Sequence, residues 1–424
     1  MRKFLGFISI LGFIAAFLVF TVMDATIQLA FVIGIFLFSL FTVSFYGLTL
    51  LEEKKVSISK DFPTLTVIIP SYNSEKTIAE CIEHVLAMEY PHPFEVVLVD
   101  DGSTDSTREI AARYPLRIMH RKQNKGKAAS LNEAIRQAKS ELVACVDSDT
   151  YPPKSLLMKS VPHMGDPALG AMTFFITVHK PNTIWQKMQE MEYLFSFGAF
   201  PYLGSKFNSV LVTPGPLTIF RRAALVKIGG FAEDNITEDF EMGLKLHRAH
   251  YKIDYLPISI PTEVPKNFSG LMRQRVRWYR GTIYNVLLYK DFMLNPKYAD
   301  VGTFSFPIIA LYIPVTVVSF FFVLARMSHF LQDTMVQAVQ FAVYHQGLTL
   351  ALDPLYIRPD MLLFGSFLVS YVFFLWFSLS LINEKFTARR IIGFLMVIFV
   401  YPFVNAGFYA LSLYKEIAGS DLQW

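Results

Sequence analysis

The sequence predicts an α/β domain on a mostly parallel sheet, joined through interfacial amphipathic helices to an all-α transmembrane region. Three observations predict it. Apolar residues concentrate at the two ends of the 424-residue chain. Between them, short β-branched runs alternate with helix-length segments. The predicted strands end in polar, carboxylate-rich turns. Only 17% of residues are charged and 53% are apolar, against roughly 25% charged in soluble domains, which argues against a purely soluble protein. An aromatic content of 15% excludes disorder, and two cysteines exclude a disulfide scaffold. A net charge of +4 is too small to indicate nucleic-acid binding.

Residues 1–55 read as a transmembrane hairpin. Uncharged runs at 4–22 and 26–51 each reach the roughly 20 residues that a spanning helix needs. A cleaved signal peptide fits less well, because a second span follows without a convincing cleavage site. Residues 301–424 hold three further runs, at about 304–325, 361–382 and 391–414. Arg2, Lys3, Lys54, Lys55, Lys60 and the basic loop at 384–390 fall on one side if there are five spans, which puts residues 56–300 in the cytoplasm. The amphipathic stretch 336–357 could lie in the interface or re-enter; a sixth span would move the C-terminus inside.

The cytoplasmic domain covers 56–262. Strands are expected at Leu65–Ile69, Glu95–Val99, Arg117–Met119 and Glu141–Val146. Helices are expected at 74–88, 105–113 and 127–139. In parallel sheets, ligands bind beyond the carboxyl ends of the strands. Those ends carry Pro70-Ser71-Tyr72-Asn73, Asp100-Asp101-Gly102-Ser103-Thr104-Asp105 and Asp147-Ser148-Asp149. Taken singly, the first two serve equally well as helix caps and turns. The third is harder to dismiss: Asp147 and Asp149 leave a buried strand together, and a divalent cation would relieve their repulsion.

Asn124-Lys125-Gly126-Lys127 suits an anion at a helix start. Neither a dinucleotide fingerprint nor a P-loop is present. Asn235-Ile236-Thr237-Glu238-Asp239 opens a helix; a capping box of Asn235 with Glu238 is the structural alternative to Asp239 as a general base. Residues 263–300 read as interfacial helices. There Gln274, Arg277 and Trp278 share one helical face, whereas Phe268, Met272, Tyr279, Ile283 and Val286 share another. A lipid-binding basic helix would explain the arginines but not the tryptophan. His247 and His250 lack further ligands for a metal site, and Cys81 and Cys145 fall at core-facing positions.

In order, PSYN, VDDGSTD, NKGKAASLN, DSD, TED and QRVRW resemble the membrane-integrated family 2 glycosyltransferases, which include cellulose, chitin, hyaluronan and poly-N-acetylglucosamine synthases. The resemblance covers residues 63 to about 290. It implies a GT-A fold and inverting transfer from a UDP-sugar. Tyr72 would stack on uracil, Asp101 with Asp100 would bind the uridine, and Lys127 would help hold the nucleotide. Asp147 and Asp149 would form the DxD pair, with Mg²⁺ or Mn²⁺ on Asp149. Glu238 and Asp239 belong to the TED element, with Asp239 the base. Gln274, Arg277 and Trp278 match Q-x-x-R-W. The segment 212–220 departs from the usual Ser-Gly-x-x-x-x-Phe, which bears on acceptor identity.

The expected partners are a UDP-sugar, a glycan or lipid acceptor and the bilayer, with no nucleic acid; a small membrane subunit and the oligomeric state stay open. A processive polysaccharide synthase in the plasma or cytoplasmic membrane is the first reading. Tyr312, Tyr371, Tyr401, Asn405 and Tyr409 are candidates to line its channel. A transferase acting once on a membrane lipid is the second, because ceramide glucosyltransferases carry similar motifs. A non-catalytic scaffold is the third; the intact Asp149, Asp239 and Trp278 argue against it.

Overall fold

The computed structural model describes residues 58–344 and 359–419, with a few isolated positions between 33 and 47. The N-terminal runs at 4–22 and 26–51 otherwise lie outside the described residues, as does the stretch 336–357 beyond Tyr344. Contacts divide the chain into two units. One is Glu52–Ile309 with Leu375–Val397; the other is Met1–Leu51, Ala310–Phe374 and Ile398–Gln423.

In the first unit, β1 (Leu65–Ser71), α1 (Ile78–Leu86), β2 (Glu95–Asp100), α2 (Thr107–Ala111), β3 (Arg117–His120), α3 (Lys127–Gln137) and β4 (Leu142–Val146) alternate as the sequence predicts. All seven residues of β1 and all five of β4 are buried. That is why these strands read as unbroken apolar runs rather than alternating ones. Helix α1 buries Ile78, Cys81, Ile82 and Val85, one stripe at helical spacing. Cys81 and Cys145 are buried free thiols, and burial raises the pKa of Cys81 and pushes that of Cys145 up to about 12.

The second half adds α4 (Leu156–Ser160), β5 (Leu169–Val178), α5 (Ile184–Tyr193), a π-helical turn at Leu194–Ala199, α6 (Phe200–Lys206), β6 (Leu217–Arg221), α7 (Arg222–Lys227), α8 (Glu238–Arg248), β7 (Lys252–Thr262) and α9 (Phe268–Leu288). The seven strands run in the order β3-β2-β1-β4-β6-β5-β7. Neighbours pair in parallel except at β6, which is antiparallel to β4 and to β5. The sheet is thus mixed but mostly parallel. Its parallel half, β3-β2-β1-β4, carries PSYN, DDGSTD and DSD at adjacent carboxyl ends.

The segment Leu375–Val397 belongs to this unit. Ser378 Oγ donates to the Leu194 carbonyl and accepts from the Ala199 amide at 3.2 Å, so one hydroxyl satisfies groups at both ends of the π-turn. Arg390 is buried and donates through Nε to Glu190 at 2.9 Å and through Nη2 to Glu384. Part of the basic loop at 384–390 therefore binds the α/β domain.

The second unit holds most of α10 (Phe306–Tyr344) and α11 (Pro359–Leu381), with the end of α12 (Ile391–Phe399) and all of α13 (Tyr401–Ile417). The apolar runs at 304–325, 361–382 and 391–414 all fall on helices. The third is broken: Ala388–Phe399 and Tyr401–Ile417 meet at 52°. Pro402, at the start of α13, cannot donate to the preceding turn, which accounts for the break. Among the described residues no single helix is long and apolar enough to cross a membrane; this bent pair meets the length and composition together. Tyr371, Asn405 and Tyr409 are buried here, and Tyr312 lies edge-on to Tyr409 at 5.9 Å.

Candidate active site

Each part of the site starts at a strand end or helix end that the sheet order brings together. At the end of β2, Asp100 and Asp101 are buried and engaged by their own surroundings. Asp100 accepts from the Ser103 amide at 3.0 Å and pairs with His120 Nδ1 at 2.8 Å. Asp101 accepts from the amides of Gly126 at 2.8 Å and Lys125 at 3.1 Å, and from Arg121 at 3.3 Å. Asp101 holds the turn before α3, which Gly126 makes possible with φ +91°, whereas Asp100 ties the start of its own loop to the end of β3. Expected to bind a uridine, they are largely committed to shaping the loop that would hold it. Tyr72 stands 48% exposed at the adjoining end of β1, with its ring free for stacking.

The turn braced by Asp101 delivers Lys127 at the first position of α3. Its ammonium pairs with Asp147 and lies 3.7 Å from Glu238. Gly215 makes room for this: a Cβ there would meet Lys127 Nζ at 2.5 Å and Asp147 Oδ2 at 3.0 Å. Burial opposes the lysine's charge, but Asp147 and Glu238 outweigh it and raise its pKa. One lysine therefore joins the DSD turn to the TED turn.

Asp149, at the far end of DSD, accepts from Thr262 Oγ1 at 3.3 Å. Burial, followed by the nearby charge of Asp147, pushes its pKa up to about 7. Glu238 is likewise raised to about 7, by burial and then by Asp239, against the lowering effect of Lys127 and Arg277. Burial thus disfavours the charge on Asp149, and a cation beside it would favour that charge. Asp147 and Asp149, two carboxylates two residues apart at a half-buried strand end, form a donor set that fits Mg²⁺ or Mn²⁺.

The TED turn is not a capping box. Thr237, at the N-cap of α8, makes no side-chain cap bond, and Asn235 instead accepts from the Thr237 amide at 3.0 Å. Asn235 also donates to Asn285 at 2.8 Å, and Asn285 returns a bond to Thr237 Oγ1 at 3.0 Å. The Asn235 side chain is thus taken by α9. Glu238 is buried, whereas Asp239 stays half exposed, its carbonyl accepting from the Thr213 amide at 3.2 Å and hydroxyl at 2.8 Å. Asp239, not Glu238, is the carboxylate open to an incoming group.

Helix α9 turns polar residues inward. Leu271, Arg275, Gly281 and Asn285 are buried, whereas Phe268 is 41% and Leu287 67% exposed. The buried Arg275 and Arg280 are not lipid-binding surface arginines. Gly281 sits against Thr237, where a Cβ would meet the threonine hydroxyl at 2.2 Å. Trp278 lies one turn earlier, with its ring under the Arg275 guanidinium at 4.2 Å and edge-on to Phe197 at 6.4 Å. Gln274 accepts from Arg275 at 2.6 Å. Arg277 is close enough to act on Glu238.

The sequence reading did not single out Arg275, Glu192, Asn285, Thr213 or Gly215. Arg275 had a signal: it lies three residues before Trp278, on the same face. Thr213 and Gly215 lie in the segment 212–220 that departs from the family pattern, which flagged the stretch but neither residue; Glu192 and Asn285 had no signal. His247 is a core histidine whose Nε2 donates to the Val210 carbonyl at 2.7 Å, and His250 faces Tyr298. Among the described residues no cluster of three or more His, Cys, Asp or Glu is arranged to hold a metal.

Residues 66–229 match the family Glycosyl transferase family 2. The chain is 32% identical over 254 residues to a poly-beta-1,6-N-acetyl-D-glucosamine synthase of Staphylococcus aureus (strain COL), covering 58% of this chain and 60% of that protein. It thus spans 60% of the length of that relative. It is 27% identical over 371 residues to the enzyme of the same name from Staphylococcus epidermidis, covering 83% of this chain and 84% of the relative. Among solved structures it is similar in fold to a mannosyltransferase from Pyrobaculum calidifontis in complex with GDP-Man and Mn²⁺. That match has a TM-score of 0.58 and 21% identity, and covers 88% of this chain and 99% of the other.

Proposed function

Proceeding from a chain that carries a Glycosyl transferase family 2 domain over residues 66–229, we propose that it is an inverting, metal-dependent glycosyltransferase that extends a β-linked polysaccharide at the cytoplasmic face of a membrane. The donor is a UDP-sugar, with UDP-N-acetylglucosamine first in line because both synthase relatives are named for that sugar. The observation that carries the reading is one run of contacts. Asp147 pairs with Lys127, Lys127 faces Glu238, and Thr237 beside Glu238 packs on Gly281 of the helix that presents Trp278. Donor-side and acceptor-side elements are thereby held in one frame.

In this reading the nucleotide lies over the ends of β1 and β2, with uracil against Tyr72 and the diphosphate near Lys127. Asp149 and Asp147 would hold Mg²⁺ or Mn²⁺, which when bound would neutralise charge on the diphosphate. Trp278 offers a flat face to the acceptor sugar. Asp239 accepts the proton of the acceptor hydroxyl as its oxygen attacks the anomeric carbon. The bond from that carbon to the diphosphate oxygen breaks on the opposite side, which inverts the configuration. Lys127 and Arg277 offset the charge that builds on the departing UDP.

The spans predicted by sequence would carry the product across the bilayer, and the outward apolar face of α9 would lie in the interface. The test is product sizing: membranes holding the protein are given Mn²⁺ or Mg²⁺ and radiolabelled UDP-sugars. High-mass, glycosidase-sensitive label is the expected result, abolished by EDTA and restored by either cation. Label confined to a small organic-soluble product would replace polymer synthesis with transfer to a lipid.

A further inference from the structure

Arg275 makes none of the contacts that the proposed reaction needs from a catalytic group, yet it is fully buried. Its guanidinium forms a two-point pair with Glu192 of α5, Nε to Oε1 at 3.1 Å and Nη2 to Oε2 at 2.5 Å. Its remaining nitrogen, Nη1, donates to Gln274 Oε1 at 2.6 Å, and its Cζ lies over the Trp278 ring, 4.2 Å from the centre. One side chain therefore touches two of the three residues of the Q-x-x-R-W element and fixes both to a different helix. A planar fork can do this; an ammonium cannot, because it supplies neither the paired geometry nor the stacking face.

We infer that Arg275 and Glu192 are positioning residues that set the Trp278 ring and the Gln274 amide for the acceptor sugar. The inference deepens the glycosyltransferase reading and rests on it for the identity of the acceptor. Trp278 packs at the edge of the main core, where Phe197 meets it edge-on at 6.4 Å; Phe268 and Trp185 join α9 to α5 near the start of both helices, at 5.1 Å. The pair with Glu192 supplies a reference point outside the helix. Glu192 closes α5 just before the π-turn that carries Phe197, so the same short stretch supports the ring from two sides.

The experiment uses the full chain in detergent or native membranes. Arg275→Lys and Glu192→Gln should each raise the acceptor KM about tenfold, the scale of one lost charge-assisted contact. The KM for the UDP-sugar should stay within twofold. Losing one partner could unfold the chain by leaving a buried charge, so the double variant Arg275→Met/Glu192→Leu, which removes both charges, is measured beside them. It should fold, bind UDP and show the same weakened acceptor use. A second readout does not depend on catalysis. In a chain whose other three tryptophans are phenylalanine (Trp185→Phe, Trp376→Phe, Trp424→Phe), Trp278 fluorescence should become about twofold more quenchable by acrylamide once Arg275 is replaced. Unchanged quenching, or an unchanged acceptor KM in a folded double variant, would overturn the inference. Altered quenching in a protein that transfers no sugar would instead leave the positioning intact and remove the functional reading.

Discussion

His247 is buried between α8 and the Val210 carbonyl, and burial holds its pKa down to about 4. Unfolding releases it to its ordinary value near 6.5. Between those values the unfolded chain binds the proton and the folded chain does not. Stability from this group is therefore complete above pH 6.5 and is lost as pH falls toward 4. Over that window the native protein should lose up to about 3 kcal/mol more than His247→Gln; equal slopes in denaturation against pH would sink the claim. At the proposed base, Asp239→Asn keeps the shape but cannot take a proton, so turnover should fall about 100- to 10,000-fold while UDP binding persists. A calorimetric titration beside the transfer assay checks both halves. Residue positions were the most legible part of the candidate site. Tyr72, Lys127, Asp147, Asp149, Glu238 and Asp239 all stand at the strand and helix ends where spacing put them. What spacing could not convey was which carboxylates are already engaged. Nothing local in Asp100-Asp101 says that the loop 20 to 25 residues later would fill their lone pairs.

At the scale of elements, α8 and α9 meet through a buried polar layer beside an apolar cluster that holds Phe240 and Leu244 of α8 and is packed by Val286 of α9. Asn235, Asn285 and Thr237 bond one another in a buried layer, and Tyr289 donates to Glu241 at 2.8 Å. Replacing Asn285 with Leu strands the partner amide and hydroxyl, at a cost of about 1–3 kcal/mol. Chemical denaturation of the purified chain should find that loss, with a fall in transfer rate. Gly281→Ala forces a methyl into Thr237 and should cost about 1–3 kcal/mol, because neither helix can yield without moving the TED turn. A variant that unfolds at the native midpoint would refute this. The first four strands and three helices were readable because each carries a clean period and ends in a turn signal. Strands β5 to β7 were not, for a physical reason: β5 is ten residues of mostly apolar sequence, a length and composition shared by strands and buried helices. Strand β6 follows Pro-Gly-Pro, which reads as loop, and its pairing is decided by β4, far away in sequence.

At the scale of the molecule, the proposed membrane setting predicts that the chain stays in the pellet after alkaline carbonate washing and leaves it only with detergent; release by carbonate alone would contradict it. The sheet order also bears on how such a chain is made. All pairings among β1, β2, β3 and β4 close within residues 65–146, whereas Leu142 must find Arg221 and Leu169 must find Lys252. The half that would grip the nucleotide is thus complete in the nascent chain while the helix bearing Trp278 is still inside the ribosome. Until β6 emerges, the five apolar residues of β4 are an open edge, the kind of surface on which unfinished chains aggregate. Ribosome-bound chains ending near residue 190 should therefore resist protease over 65–137 yet depend on chaperones, and chains long enough for β6 to clear the ribosome, ending near 275, should lose that dependence.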